Sequence, residues 1–365
     1  METIFLQPDG KILIGGRFDT YNGASRVAIA RLNSDGSLDT SFNSPFVDAD
    51  ISAIAVQPDG KILVAGGIDL YYNSVDHYDV ARLNADGTVD TSFNSAGEGV
   101  GQGSARALAF YRAGILKGKI LIAGRFALYN GITRNNVARL NFDGSLDTSF
   151  DPGTGPDISV TTMAIQANDK VVIGGVFNSV AGYPRHRAAR LNPNGTLDTT
   201  FDPQTPDSVV DGVNAIAVQP DGKLLFGGDI TAWGSSEIPD YAIVRTNPDG
   251  TLDPSFLIDA NNVFNNGIYA MALQPDGRIL VAGAFQSIGG VSREHVARLN
   301  NDGTLDLRFD PGTGTDNLIY AMIRQPDGKV LIGSDFNTYD GTTRYGVVRI
   351  NGYGKYVFLP MVIRH

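Results

Sequence analysis

The 365 residues include 44 glycines, 17 prolines and no cysteine, with 42% hydrophobic and 19% charged residues. Disulfide scaffolds and zinc-thiolate sites are thereby excluded, and glycine above the usual ~7% with charge below the usual ~25% favours tight turns over long helices. The formal net charge of -10, from 39 acidic and 29 basic residues with no lysine- or arginine-rich run, argues against nucleic acid or an anionic membrane as a partner. No apolar run reaches the ~18 residues of a membrane helix, and METIFLQPDG lacks the basic and apolar regions of a signal peptide, so the chain reads as soluble.

The first strand signal runs into QPDGKIL at Gln7 to Leu13, which returns as QPDGKIL at 57, QPDGKLL at 219, QPDGRIL at 274 and QPDGKVL at 325. Two copies are degenerate, QANDKVV at 166 and YRAGILKGKIL around Lys119. The resulting column of Lys11, Lys61, Lys119, Lys170, Lys223, Arg278 and Lys329 has spacings of 50, 58, 51, 53, 55 and 51. Seven units of roughly 52 residues account for the chain, with boundaries near 1–49, 50–102, 103–157, 158–211, 212–266, 267–316 and 317–365.

Within a unit the alternation predicts four short strands, A to D. In the second, Ile54 to Gln57 is strand A, Pro58-Asp59-Gly60 turns the chain into strand B at Lys61, Val80 to Asn84 is strand C, and Ala85-Asp86-Gly87 leads into strand D. Proline presets the first turn position and glycine accepts the left-handed conformation at the last. Four antiparallel strands repeated seven times, with no helical period between, predict an all-β, seven-bladed β-propeller. Small strand A residues such as Ala53, Ala55, Ala107 and Ala109 suit the axis, and the Asp, Thr and Ser of strand D suit a solvated rim.

These units resemble the delta-60 repeat, a bacterial β-propeller repeat close to A-I-A-V-Q-P-D-G-K-I-L-V-G-G-x-F, then N-G, then A-R-L-N-x-D-G-S-L-D-x-S-F. The resemblance covers essentially the whole chain. It implies a propeller of an exported or surface protein of bacteria, hence an extracellular or cell-surface location, and no particular function.

Arg31, Arg82, Arg139, Arg190, Arg245, Arg298 and Arg349 form a column on strand C, and Asp39, Asp90, Asp147, Asp198, Asp253 and Asp306 stand eight residues after the first six. Across a three-residue turn each pair falls opposite, which predicts six exposed cross-strand ion pairs worth roughly 0.2–1 kcal/mol each. Val357 breaks the column within the apolar stretch Lys355 to Ile363, read as a last strand completing blade seven. Since blade one carries its own strand A and blade seven its own strand D, ring closure is expected from packing, without an exchanged strand. The N-x-D-G turns lack the oxygen-ligand run and terminal glutamate of a calcium loop.

In this architecture the A–B and C–D turns share one face and the longer, divergent B–C and D–A loops the other, where recognition is expected. Asp50, Asp157, Asp211 and Asp316 precede inner strands, placing them round a channel mouth that could hold a cation. A second column, Arg26, His77, Arg134, Arg185, Asp240, Arg293 and Arg344, is read as loop bracing, and its two exceptions lie in the most unusual loops. From those loops Tyr72, His77, Tyr78, Trp233, Glu237, Asp240 and Tyr241 are the candidate ligand-binding residues, because aromatic planes beside carboxylates suit carbohydrate or peptide. Four scattered histidines, no G-x-S-x-G elbow, no phosphate loop and no thiol give catalysis little support, and no cofactor is expected. The reading is a monomeric, non-catalytic binding or display module for a protein or glycan. The alternative is a polysaccharide hydrolase or lyase using carboxylates at the mouth.

Overall fold

The computed structural model describes residues 1–203, 212–230, 242–256, 263–357 and 363–364. No helix occurs among them. Seven antiparallel sheets each run in the order A-B-C. In blade two these strands are Asp50–Val56, Ile62–Tyr72 and Val75–Leu83. The inner strands are Thr3–Leu6, Asp50–Val56, Ser104–Phe110, Val160–Ile165, Val213–Val218, Ile268–Leu273 and Ala321–Arg324. Each packs beside the next and the seventh beside the first, so the sheets close a ring around one axis.

The apolar cores lie between blades, because a sheet buried on both faces must find a partner on each. One cluster joins Ile29 and Phe42 of blade one to Ile54 and Val64 of blade two, and the pattern repeats round the ring to Ile14 and Leu32 against Leu331 and Val347 of blade seven. Strand D is shorter than the sequence suggests. In six blades it is a single bridge, such as Leu140↔Leu146, and only blade seven forms a two-residue ladder, Arg349↔Val357 and Ile350↔Tyr356.

The predicted Arg–Asp pairs form, but they are buried rather than exposed. Arg139 is 1% exposed, and its Nε donates to Asp147 Oδ2 at 2.8 Å. Its guanidinium lies 4.9 Å from the Phe150 ring centroid, and its Nη1 donates to Pro193 O of the next blade at 2.5 Å. The same reach to the following C–D turn is made by Arg82 to Phe142 O at 2.6 Å, Arg190 to Pro248 O at 2.6 Å and Arg245 to Asn301 O at 2.5 Å. Arg31 and Arg298 make it as well, and Arg349 closes the circle on Ser34 O at 2.5 Å. The column therefore stitches blade to blade. Burial alone would raise the Asp39 carboxyl, yet hydrogen bonds from Lys11, Ser41 and Arg31 hold it well below the ordinary range.

Closure also uses a strand, against the expectation from sequence. In blade four Pro156 of the preceding D–A loop bridges Val180 of a small B–C hairpin, and in blades six and seven Phe264↔Ile288 and Thr315↔Tyr339 repeat the contact. On blade one the equivalent hairpin strand is paired by Ile363–Arg364, which meets Tyr21 and Thr20. Tyr356–Val357 thus completes blade seven, and Ile363–Arg364 holds on blade one the place that D–A loop residues hold on blades four, six and seven.

Arg349 shows what the column loses without its carboxylate. Val357 occupies the register that holds aspartate elsewhere, Arg349 Nε has no hydrogen-bond partner, and burial lowers the pKa of its guanidinium. Val357→Asp is expected to raise the melting temperature by several degrees in a thermal scan. An unchanged or lower midpoint would contradict the pairing argument.

Candidate functional site

Strand A carries a β-bulge in blades two to six. The register slips between Ile51 and Ala53, Ala105 and Ala107, Val160 and Thr162, Val213 and Ala215, and Ile268 and Ala270. The residues left over are Ser52, Arg106, Thr161, Asn214 and Tyr269. A bulge re-aims a side chain, and here all five line one cavity of about 700 Å³ at the loop-bearing end of the channel, joined by Glu2 of blade one and Tyr320 of blade seven. Each of the seven stands five residues before the turn glutamine, or before Tyr111 in blade three. Arginine, lysine and glutamine recur from blade to blade at fixed positions, whereas this column reads Glu, Ser, Arg, Thr, Asn, Tyr, Tyr.

Glycine makes the bulge possible. A Cβ on Gly66 would lie 2.0 Å from Asp50 O, and the equivalents Gly124, Gly175, Gly228 and Gly283 would meet Ser104, Ser159, Gly212 and Gly267 carbonyls at 1.9–2.2 Å. Blade seven has no bulge, and it has Ser334 in place of that glycine. A single glycine at this position of strand B thus admits the kinked inner strand in blades two to six.

The mouth is chemically lopsided. Tyr269 and Tyr320 stack with centroids 5.7 Å apart and planes 16° from parallel. Beside them, Glu2 is held above the usual carboxylate range by loss of hydration within the channel and then by the charge of Asp50. Asp50 Oδ1 is buried without a hydrogen-bond partner. Arg106 stands further round, followed by Thr161 and by Asn214, whose Nδ2 donates to Asp229 Oδ2 at 3.1 Å. Asp50 and Gly67 also wall a side pocket of about 310 Å³ with Arg17, Asp48, Asp69, Tyr78 and Asp79. Asp79 is 8% exposed, and burial pushes its carboxyl up to about 7.

The residues expected from sequence separate accordingly. Asp50 is at the mouth, and Tyr78, 38% exposed, is beside it. Asp157 and Asp316 turn away from the channel. Asp157 Oδ1 accepts the Asn178 and Ser179 amides at 2.8 and 3.1 Å, and Asp316 Oδ1 accepts those of Asn337 and Thr338 at 2.7 and 3.0 Å, so both clamp a D–A loop to its B–C hairpin. Tyr72 and His77 stack on each other at 3.6 Å, Tyr72 Oη donates to Phe93 O at 2.8 Å, and His77 is 2% exposed. His77 is thus folded into blade two, with Tyr72 half-buried against it. Asp211, Trp233, Glu237, Asp240 and Tyr241 lie outside the described residues. The arginines of the bracing column bond the carbonyl of the preceding residue, as Arg134 Nη1 does with Thr133 O at 2.8 Å. Among the described residues no three carboxylate or histidine side chains are grouped so as to hold a metal ion.

The fold and the seven repeats define a class, the bacterial tandem-repeat β-propellers. Within it, the chain belongs to the family described as domain of unknown function DUF5122, β-propeller, whose repeat matches residues 7–42, 57–93, 118–150, 166–201, 219–256, 274–309 and 325–354. No curated protein matches the sequence. Among solved structures it is similar to the extracellular domain of the hybrid two component system BT4673 from B. thetaiotaomicron, at 12% identity and TM-score 0.54, over 95% of this chain and 39% of that one. It is also similar to PorZ, an essential bacterial surface component of the type-IX secretion system of Porphyromonas gingivalis, at 12% identity and TM-score 0.52, over 96% of this chain and 46% of that one. The chain spans about two fifths of the first of these neighbours and under half of the second. YCF48 bound to D1 peptide matches over 98% of this chain and 93% of its own, at 10% identity and TM-score 0.53. At such identities the likeness is one of fold.

Proposed function

We propose that this propeller is a non-catalytic binding module of the bacterial cell exterior, taking a segment of a protein partner at the channel mouth. The observation that carries this reading is the inner-strand column, bulged in blades two to six, which brings seven side chains of six kinds to one cavity while neighbouring columns repeat. A position serving only the blade has the same work to do in each of them. Acid, arginine, hydroxyl, amide and aromatic groups around about 700 Å³ suit the mixed chemistry of a peptide. The two tyrosines face each other, leaving less open ring surface for a sugar than two separate platforms would. The propeller bound to D1 peptide offers an analogy for the peptide, and the extracellular and surface propellers offer one for the location.

A peptide library and a glycan array, each probed with the wild type and with Tyr269→Ala/Tyr320→Ala, test the reading. Peptides are expected to be enriched, and the double variant is expected to bind them about tenfold or more weakly, whereas Leu307→Ala, 67% exposed on the rim, leaves affinity unchanged. Glycan binding alone, or equal binding by the double variant, would overturn it. Shortening of a polysaccharide would replace it with an enzyme.

A further inference from the structure

The opposite end of the channel, on the face of the short turns, holds a second cavity of about 980 Å³. Its walls are largely apolar, built from Phe5, Leu6 and Val56 of the inner strands and from the turn prolines Pro8, Pro58 and Pro326. The volume lies at the upper end for small-molecule sites.

Three features give it polarity. Blade three alone, among the described residues, replaces the three-residue A–B turn by a longer link, Arg112 to Gly118. Tyr111, 1% exposed, and Leu116 tie that link into the core between blades three and four, while Arg112 and Lys117 line the cavity. Neither cation forms an ion pair among the described residues, in contrast to Arg31 on the same wall, whose Nε is committed to Asp39 Oδ2 at 2.8 Å. Next, Gln57 is 2% exposed and its Oε1 accepts from Arg82 Nη1 at 3.4 Å, while the donor Nε2 on this wall has no partner. Finally, the carboxylates at the lip are engaged. Asp327 Oδ2 pairs with Lys329 Nζ at 2.6 Å, and Asp9 Oδ1 accepts the Lys11 amide at 3.0 Å.

We propose that this cavity binds an apolar ligand bearing a single carboxylate, the apolar body lying against Phe5, Leu6 and Val56 and the carboxylate meeting Arg112, Lys117 and the Gln57 amide. Charge complementarity selects the head group, because Arg112 and Lys117 are two cations without an ion-pair partner among the described residues, and one carboxylate answers both. The apolar walls select the body. Such a carboxylate can belong to a free aliphatic acid or to the C-terminal residue of an apolar peptide.

Calorimetric titration of the full chain with decanoate, decanol, decylamine, and N-acetyl-leucyl-phenylalanine as free acid and as amide tests the proposal and separates the two sources. Decanoate, the free-acid dipeptide or both should bind saturably, with decanol, decylamine and the amide about tenfold or more weaker. Arg112→Ser/Lys117→Ser changes exposed side chains of the link and should remove that preference while leaving the melting temperature unchanged. Tyr269→Ala/Tyr320→Ala, at the far mouth, should leave these titrations unaltered, so failure of one site is distinguishable from failure of the other. No saturable binding by either acid, equal binding of decanol and decanoate, or a preference that survives loss of both cations would overturn the proposal.

Discussion

Arg139→Ala is expected to lower the unfolding free energy by about 3–5 kcal/mol, because it strands a buried carboxylate and cuts a tie between blades. Asp147, 5% exposed, would keep Lys119 at 3.0 Å as its one cation, beside the Ser149 amide and hydroxyl. The bond to Pro193 O and the stacking on Phe150 would go as well. The deficit should depend on pH in a defined direction. In the wild type, burial raises the Asp147 carboxyl, but bonds from Ser149, Lys119 and Arg139 bring it well below its unfolded value near 4. A depressed carboxyl contributes stability that is present above the unfolded value and is lost as the pH falls towards the folded one. Without Arg139 much of that depression disappears, so the gap between the two proteins should be widest near neutrality and narrow below about pH 4. Urea titrations at several pH values read this directly. A loss below about 1 kcal/mol, the scale of an exposed ion pair, would contradict the stitching role.

Gly66→Ala should be nearly as damaging, and its effect should reach the mouth. Gly66 has φ +148, and an added Cβ would sit 2.0 Å from Asp50 O and 2.8 Å from Ser52 N, all backbone. The bulge must shift to admit it, at a cost of about 1–3 kcal/mol. Gly67 is the internal control, since its nearest contact would be Asp50 Cβ at 3.8 Å. Gly67→Ala should melt close to the wild type. Equal tolerance of alanine at both positions would show that the bulge does not require glycine.

The sequence made the ring itself legible, because a column such as Arg31 to Arg349 and a turn such as Pro58-Asp59-Gly60 each report one unit. Contacts between units were harder to see. Arg139 and Asp147 are eight residues apart and can be paired by counting, whereas Pro193, 54 residues on, is a neighbour only once the blades stand side by side, so spacing along the chain does not reveal burial of the pair. The C-terminal segment was read as the end of blade seven, because its partner Tyr21 lies at the other end of the chain. At the mouth, the long loops point to Asp50 and Tyr78, whereas the bulged column sits inside what reads as ordinary strand. The signal was present: counting back five from each turn glutamine yields Glu2, Ser52, Thr161, Asn214, Tyr269 and Tyr320, and Tyr111 supplies Arg106. For Ser52, Arg106, Thr161, Asn214 and Tyr269 the register slip is what turns the side chain into the channel, and strand alternation by itself does not reveal a bulge.

Hydrogen-exchange mass spectrometry of the full chain with a peptide enriched from the library tests the central claim most directly. The account predicts slowed exchange in segments opening the inner strands, 50–54, 104–108, 213–217, 268–272 and 318–322, and no change at Ile115 on the opposite face or at Leu307 on the rim. Protection confined to the rim or to the face of the short turns, with the mouth unaffected, would contradict it.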